Sequence, residues 1–202
     1  DCTAHLIPHP TETYTIGSGK GDYEKAHIPG ADFLDLQQEL SNNTSKLRFT
    51  FPSAEQFSKA IGAHGLSNDN QAILYSTTSP QWATRIWWML RAFGFDNAKV
   101  LNGGLIRWVQ KGYPTSTIPS TYPEQSFTAK PRPGLIIQKS EVLEGIHESN
   151  TCIINALSQE QHIGVGGRTY GRPGRIKDSE NVPTTELIDP ETKEFYPAAV
   201  IA

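Results

Sequence analysis

The sequence predicts a small α/β fold arranged as two tandem domains, the second of them incomplete. Three observations lead there. Between residues 52 and 112 short apolar runs alternate with helical periodicity, the rhythm of parallel strands joined by right-handed crossover helices. The passage His27-Ile28-Pro29-Gly30-Ala31 is echoed by Arg175-Ile176-Lys177-Asp178-Ser179, and Asp1-Cys2-Thr3-Ala4 by Asn155-Ala156-Leu157-Ser158, at offsets that differ only by a loop's length. Finally, 202 residues are few for two full α/β domains, so one copy is expected to be cut short.

Taken in order, the elements justify that reading. From Pro52 to Gly65 the spacing of Phe57, Ala60, Ile61 and His64 is helical, with Ser53 as N-cap, Gln56 three residues on and Gly65 as the stop. Gln71-Ala72-Ile73-Leu74-Tyr75 is a short apolar run suited to a buried strand, and a polar loop from Ser76 to Gln81 follows it. A second helix is expected over Trp82 to Phe95, where Ala83, Ile86, Trp87 and Leu90 share a face. Asn97 to Leu101 reads as the next strand, and Gly103-Gly104 turns the chain into a third helix ending near Gly112. Five prolines between Pro114 and Pro133, with Ser and Thr among them, mark an extended linker. Beyond it a helix is expected over Ser140 to His147, with Val142, Leu143 and Ile146 inward, then a buried strand at Thr151-Cys152-Ile153-Ile154-Asn155. Domain boundaries follow: residues 1–115, a linker over 116–134, and 135–202 as the opening part of a second domain. The first copy is read as lacking its opening element and the second its last half.

Charge narrows the function. Eighteen basic against 21 acidic residues give a net charge of −3, with no electrostatic footprint for nucleic acid or an anionic membrane. No apolar run reaches the length of a bilayer span. Cys2 and Cys152 sit at corresponding places in the two copies, which argues against a disulfide and for a reducing compartment, the cytoplasm. Each is read as a small apolar occupant of a first strand. The six histidines show no pair three or four apart on one helix, so no metal site is expected; His27 is read as stabilising a turn near the core. Trp82, Trp87, Trp88 and Trp108 are not interleaved with basic residues, so they are assigned to packing and not to base stacking.

Two places are candidates for chemistry. In open parallel sheets the functional position lies past the carboxyl end of a strand, where a loop enters a helix whose N–H groups favour an anion. Ser76 to Gln81 occupies that place, but it holds no cysteine and nothing near in sequence to activate a hydroxyl, so it is read as a structural turn. The second place is Arg168, Arg172 and Arg175, within eight residues and interleaved with Gly166, Gly167, Gly171 and Gly174, a flexible cradle for a small anion.

Four motifs of the first copy, His27 to Ala31, Tyr75 before its loop, Arg85-Ile86-Trp87-Trp88-Met89-Leu90, and Val100-Leu101-Asn102-Gly103-Gly104 through to Gly112-Tyr113-Pro114, fall in an order that resembles the first half of a tandem rhodanese, or sulfurtransferase. Asn155-Ala156-Leu157, Tyr170 to Ile176 and Asn181-Val182-Pro183 are similar to the opening of the second rhodanese repeat. The resemblance implies tandem rhodanese-like domains, each a small parallel sheet flanked by helices. It implies a cysteine in the active loop of the second domain that takes the outer sulfur of thiosulfate or 3-mercaptopyruvate as a persulfide and passes it to cyanide or a thiol. No cofactor is implied. Ser76 stands where the active loop of the other repeat has its cysteine, so the first domain is expected to be non-catalytic. The nucleophile is expected beyond residue 202, and residues 1–202 alone are expected to be inactive. Arg168, Arg172 and Arg175 are the substrate-binding candidates. Asn155, Leu157 and Gln161 depart from the family's Asp-x-Arg and following arginine, and Lys177-Asp178 replaces its Pro-Gly, which weakens the case for a mercapto-acid. The rival reading is a degenerate rhodanese fold that binds an anion or a partner without turnover. A phosphatase relative is disfavoured because no cysteine is followed five residues later by arginine.

Overall fold

Ser53 opens the best-punctuated helix of the chain, its hydroxyl accepting the Gln56 N–H at 3.1 Å. The computed structural model describes residues 1–202 except 11, 12, 167–170 and 202. The chain forms two compact units, residues 1–7, 16–133 and 192–194 in the first and 8–15, 134–191 and 195–202 in the second.

The first unit opens with β1 (Ala4–Ile7), paired with β2 (Thr15–Ser18), and α1 (Lys20–Lys25). Helix α2 (Ala54–Ala63) follows a long irregular segment, then β3 (Ala72–Leu74), α3 (Gln81–Ala92), β4 (Ala98–Val100) and α4 (Gly104–Gln110). Strands β3 and β4 pair in parallel, Ala72 opposite Ala98 and Leu74 opposite Val100, as the crossover helix between them requires. Helix α3 buries Trp82, Ala83, Ile86, Met89 and Leu90 on one face. With Leu36, Leu40, Phe57 and Ile61 they form a core whose large side chains each contribute roughly 1.5–3 kcal/mol by leaving water.

Residues 114–133 contain no helix or strand, as the prolines predict, yet they are tightly fastened. Phe127 is buried against Phe57 and Phe95. Asn68 bonds Thr128 through both backbone N–H (2.8 Å) and carbonyl (3.1 Å). Arg132 forks onto the Asp96 carboxylate at 2.7 and 2.6 Å. The segment is therefore a strap over the first unit. Its start is tied by His27, which pairs with Ser116 through two backbone bonds of 2.9 and 2.8 Å. As expected, His27 is a buried, hydrogen-bonded anchor of its turn.

In the second unit, α5 (Lys139–Gly145) starts with a capping box between Gln138 and Glu141, and α6 (Gln159–Ile163) with one between Ser158 and Gln161. Strands β5 (Ile154–Asn155) and β6 (Glu180–Asn181) pair in parallel, followed by a 3₁₀ turn (Thr184–Leu187) and α7 (Ala198–Ile201). The strand expected over residues 151–155 is only two residues long and is not buried, with Ile154 60% exposed and Cys152 exposed. Among the described residues only β6 pairs with it, so little covers its faces. Helix α5 likewise buries none of its residues, Leu143 being 52% exposed.

The echo noticed in the sequence recurs as geometry. Asp1 accepts the Thr3 N–H on its side chain at 2.8 Å, and Asn155 accepts the Leu157 N–H in the same way at 3.0 Å. The Asp1 carbonyl takes the Leu34 N–H at 2.9 Å and the Asn155 carbonyl takes that of Val182 at 3.0 Å. Both turns close with an i to i+3 bond, Ala31 to Ile28 at 2.9 Å and Ser179 to Ile176 at 3.2 Å. Gly30 and Asp178 supply the left-handed residue, with φ of 81° and 59°.

Candidate functional site

The loop from Ser76 to Pro80 leaves the carboxyl end of β3 and enters α3, the position that a parallel sheet offers to an anion. Two of its donors, the Ser76 hydroxyl and the Thr77 N–H, are committed. Ser76 is buried at 4% exposure, and its hydroxyl donates to the Ser79 carbonyl. The Thr77 N–H donates to Thr3 Oγ1 at 2.9 Å, while the Thr3 hydroxyl donates to the Asp1 carboxylate at 2.5 Å and lies 3.2 Å from Thr77 Oγ1. The Ser76 carbonyl accepts the Leu105 N–H at 3.2 Å. Gly104 makes that approach possible, because a Cβ there would sit 2.2 Å from the Ser76 oxygen. The loop thus folds onto itself and onto two segments distant in sequence. Thr3 had no sequence signal as its partner.

The arginine segment belongs to the second unit. Arg172 and Arg175 are exposed in one loop, beside Gly171 and Gly174 with φ of 113° and 98°. Arg168 lies outside the described residues. Among the described residues neither Arg172 nor Arg175 has a carboxylate partner, whereas Lys177 lies 3.8 Å from Asp178. Two free guanidinium groups on a glycine-rich loop can each fork onto a small oxyanion.

The thiols differ sharply. Cys2 is buried at 1% exposure, burial pushes its thiol above the ordinary range, and its N–H donates to the Tyr75 carbonyl at 2.8 Å. Cys152 is exposed, contrary to the structural role expected of it, because the short β5 is not covered. It precedes β5, away from any strand-to-helix loop.

The sequence also gave no notice of a cleft of about 660 Å³ in the first unit, running along β3. Ile61, Leu66, Ile73, Leu101 and Trp108 are among its apolar lining residues, and Asp32 and His64 among its titratable ones. Ile73, an apolar strand residue, is left 53% exposed. His64 offers no free base there: Nδ1 is 2.6 Å from Asp32 and Nε2 2.9 Å from Glu39. No group of three or more possible metal ligands occurs among the described residues, and no helix among them is long and apolar enough to cross a membrane.

Residues 18–111 match the family model described as the rhodanese-like domain. The chain is 30% identical over 185 residues to thiosulfate sulfurtransferase of Rattus norvegicus, covering 87% of this chain and 61% of that protein. It is 34% identical over 175 residues to 3-mercaptopyruvate sulfurtransferase of Escherichia coli, covering 83% and 60%. The chain therefore spans about three fifths of the length of these curated relatives. Among solved structures, that of SseA, a 3-mercaptopyruvate sulfotransferase from Escherichia coli with the rhodanese fold, superposes with a TM-score of 0.77 at 31% identity, covering 95% of this chain and 71% of that one.

Proposed function

The chain belongs to the rhodanese-like domain family, and on that premise we propose that the whole protein is a sulfurtransferase that moves a sulfane sulfur from thiosulfate or 3-mercaptopyruvate to cyanide or a thiol. The observation that carries the reading is the similarity to SseA over nearly the whole chain. The repeated turn and its three matching hydrogen bonds support a tandem arrangement, residues 1–115 as a non-catalytic first domain, 116–134 as a linker and 135–202 as part of the second.

The chemistry needs a thiolate at a strand-to-helix loop. With thiosulfate it attacks the outer sulfur, the sulfur–sulfur bond breaks and sulfite leaves with the bonding pair; cyanide then takes the terminal sulfur from the persulfide and the thiolate returns. Cys2 is too buried for this and Cys152 stands at the wrong end of its strand. On this proposal the nucleophile lies beyond residue 202, and no transfer activity is expected from residues 1–202 alone. Arg172 and Arg175, with Arg168, are the anion-binding residues. Unpaired thiols suit a reducing compartment, the reason for placing the protein in the cytoplasm.

The test is a thiosulfate:cyanide assay on the polypeptide of the full open reading frame, with mass spectrometry for one added sulfur. Persulfide formation and a KM for thiosulfate raised about tenfold by Arg172→Ala with Arg175→Ala are expected. An unmodified full-length protein would instead favour an anion- or partner-binding module without turnover. An unchanged KM would remove the arginines from the site.

A further inference from the structure

Asp1 and Cys2 are bonded on both sides, as residues of a central strand are. The Asp1 nitrogen donates to the Asp32 carbonyl at 2.6 Å and the Leu34 N–H to the Asp1 carbonyl at 2.9 Å, the pattern of a parallel pair. On the other side the Cys2 N–H donates to the Tyr75 carbonyl at 2.8 Å and the Thr77 N–H to Thr3 Oγ1 at 2.9 Å, so these two chains also run the same way. Both neighbours continue past Asp1, and residues 28–32 and 71–75 line the cleft of about 660 Å³.

The β3 edge on that side is open. Toward β4, the Ala72 N–H donates to the Asn97 carbonyl at 3.0 Å and the Leu74 carbonyl accepts the Leu101 N–H at 2.8 Å. Alternate residues of a parallel strand turn their backbone groups to opposite sides, so the Ile73 N–H and carbonyl and the Tyr75 N–H point into the cleft. Among the described residues β4 is the one strand paired with β3. Ile61 of α2, Leu90 of α3 and Trp108 of α4 add apolar lining, and Ile73 is left 53% exposed. An open strand edge in an apolar cleft is a template for one more strand.

We propose that the cleft seats an extended segment of the whole protein that runs into Asp1, parallel to β3 and between it and residues 28–32. Asp1 is 8% exposed, and burial pushes its amino group below the ordinary range. A peptide N–H at that place keeps the bond to the Asp32 carbonyl and brings no charge to desolvate. The Cys2 bond fixes the register. The carbonyl of the residue joined to Asp1 takes the Tyr75 N–H, its own N–H donates to the Ile73 carbonyl, and the carbonyl two residues further back takes the Ile73 N–H. Apolar lining from three helices calls for an apolar segment, and the length of β3 beside it for about four residues. This chain spans about three fifths of its curated relatives, so a whole protein of their length has residues to supply it. Strand insertion is independent of sulfur transfer, and either can fail alone.

The test is amide hydrogen exchange on the polypeptide of the full open reading frame, with and without the residues ahead of Asp1. The Leu101 amide, which bonds the Leu74 carbonyl, is the internal reference. In the full-length protein the Ile73 and Tyr75 amides should exchange about as slowly as Leu101, and removal of the leading residues should speed them at least a hundredfold relative to it. An open reading frame with nothing ahead of Asp1, or rapid exchange at Ile73 and Tyr75 in the full-length protein, would overturn the proposal. Protection of Ile73 in residues 1–202 that grows with protein concentration would give the cleft to a second copy and overturn it equally. Should the shortened protein unfold, Ile73→Pro decides, since it removes the edge donor and spares the bonds to β4. Its shift of the urea midpoint should be at least threefold larger in the full-length protein than in residues 1–202, and equal shifts would sink the inserted strand.

Discussion

The His64 imidazole lies 2.6 Å from the Asp32 carboxylate through Nδ1 while Nε2 lies 2.9 Å from Glu39. The hydrogen bond to Glu39 contributes most to raising its pKa to about 9, burial opposes it, and Asp32 adds to the rise. A folded value above the usual one means that the bridge stabilises fully below about pH 6.5 and is lost as pH rises through about 9. His64→Gln should therefore cost on the order of 2–3 kcal/mol at pH 6, and the difference from the parent should close above pH 9. Urea unfolding followed by tryptophan fluorescence measures it, since Trp82, Trp87, Trp88 and Trp108 all lie in the first unit. An equal difference at both pH values would show that packing, and not charge, sets the effect.

Gly30 and Asp178 answer one conformational demand with different residues. At Gly30 a Cβ would come no nearer than 3.7 Å to the Tyr122 oxygen, so the cost of a substitution there is the left-handed backbone and not a clash. Gly30→Ala should destabilise the first unit by about 1–2 kcal/mol. Gly30→Asp should cost less, as Asp tolerates this region and already occupies it in the second copy. The reverse order in the same fluorescence transition would refute the equivalence of the two turns.

How far the sequence could be read depended on whether the signal was local. Helix α2 was legible because Ser53, Gln56 and Gly65 punctuate it, and α3 because its buried face repeats with helical period. Helix α1 was not, since its six residues bury only Tyr23 and show no period. The place of the loop after β3 followed from element order. What fills the loop did not, because Thr3 and Leu105 reach it from other parts of the chain. Ile154 and Leu143 misled for a related reason: apolarity predicts burial only where a neighbouring element arrives to cover it, and none does so among the described residues.

Phe127 is the clearest case of a tertiary contact without a local signal. It sits among polar residues, yet its ring centroid lies 6.1 Å from that of Phe57 and 5.7 Å from that of Phe95. Phe127→Ala should destabilise the first unit by about 3 kcal/mol through lost burial and the cavity left behind. A loss below about 1 kcal/mol would mean that the strap adds little to the core.

Thiol labelling separates the two cysteines. Native protein should take up one equivalent of a thiol reagent rapidly, at exposed Cys152, and Cys152→Ser should abolish that phase. Cys2 should react only on unfolding, because its thiol is buried and pushed towards the protonated form. Rapid labelling of Cys152→Ser would contradict this assignment.

Placing a thiol in the first-unit loop tests whether position alone makes a sulfur acceptor. A persulfide-forming cysteine needs an exposed thiolate and backbone N–H groups free to hold the incoming anion. Ser76 is buried, and the Thr77 N–H beside it is spent on Thr3 Oγ1. Ser76→Cys in the 202-residue chain should therefore gain no sulfur from thiosulfate when read by mass spectrometry. Adding Thr3→Val frees the Thr77 N–H but leaves residue 76 buried, so no gain is expected there either. Stoichiometric persulfide on Ser76→Cys with Thr3 intact would show that the loop opens in solution, and the proposal that the first domain is non-catalytic would have to be abandoned.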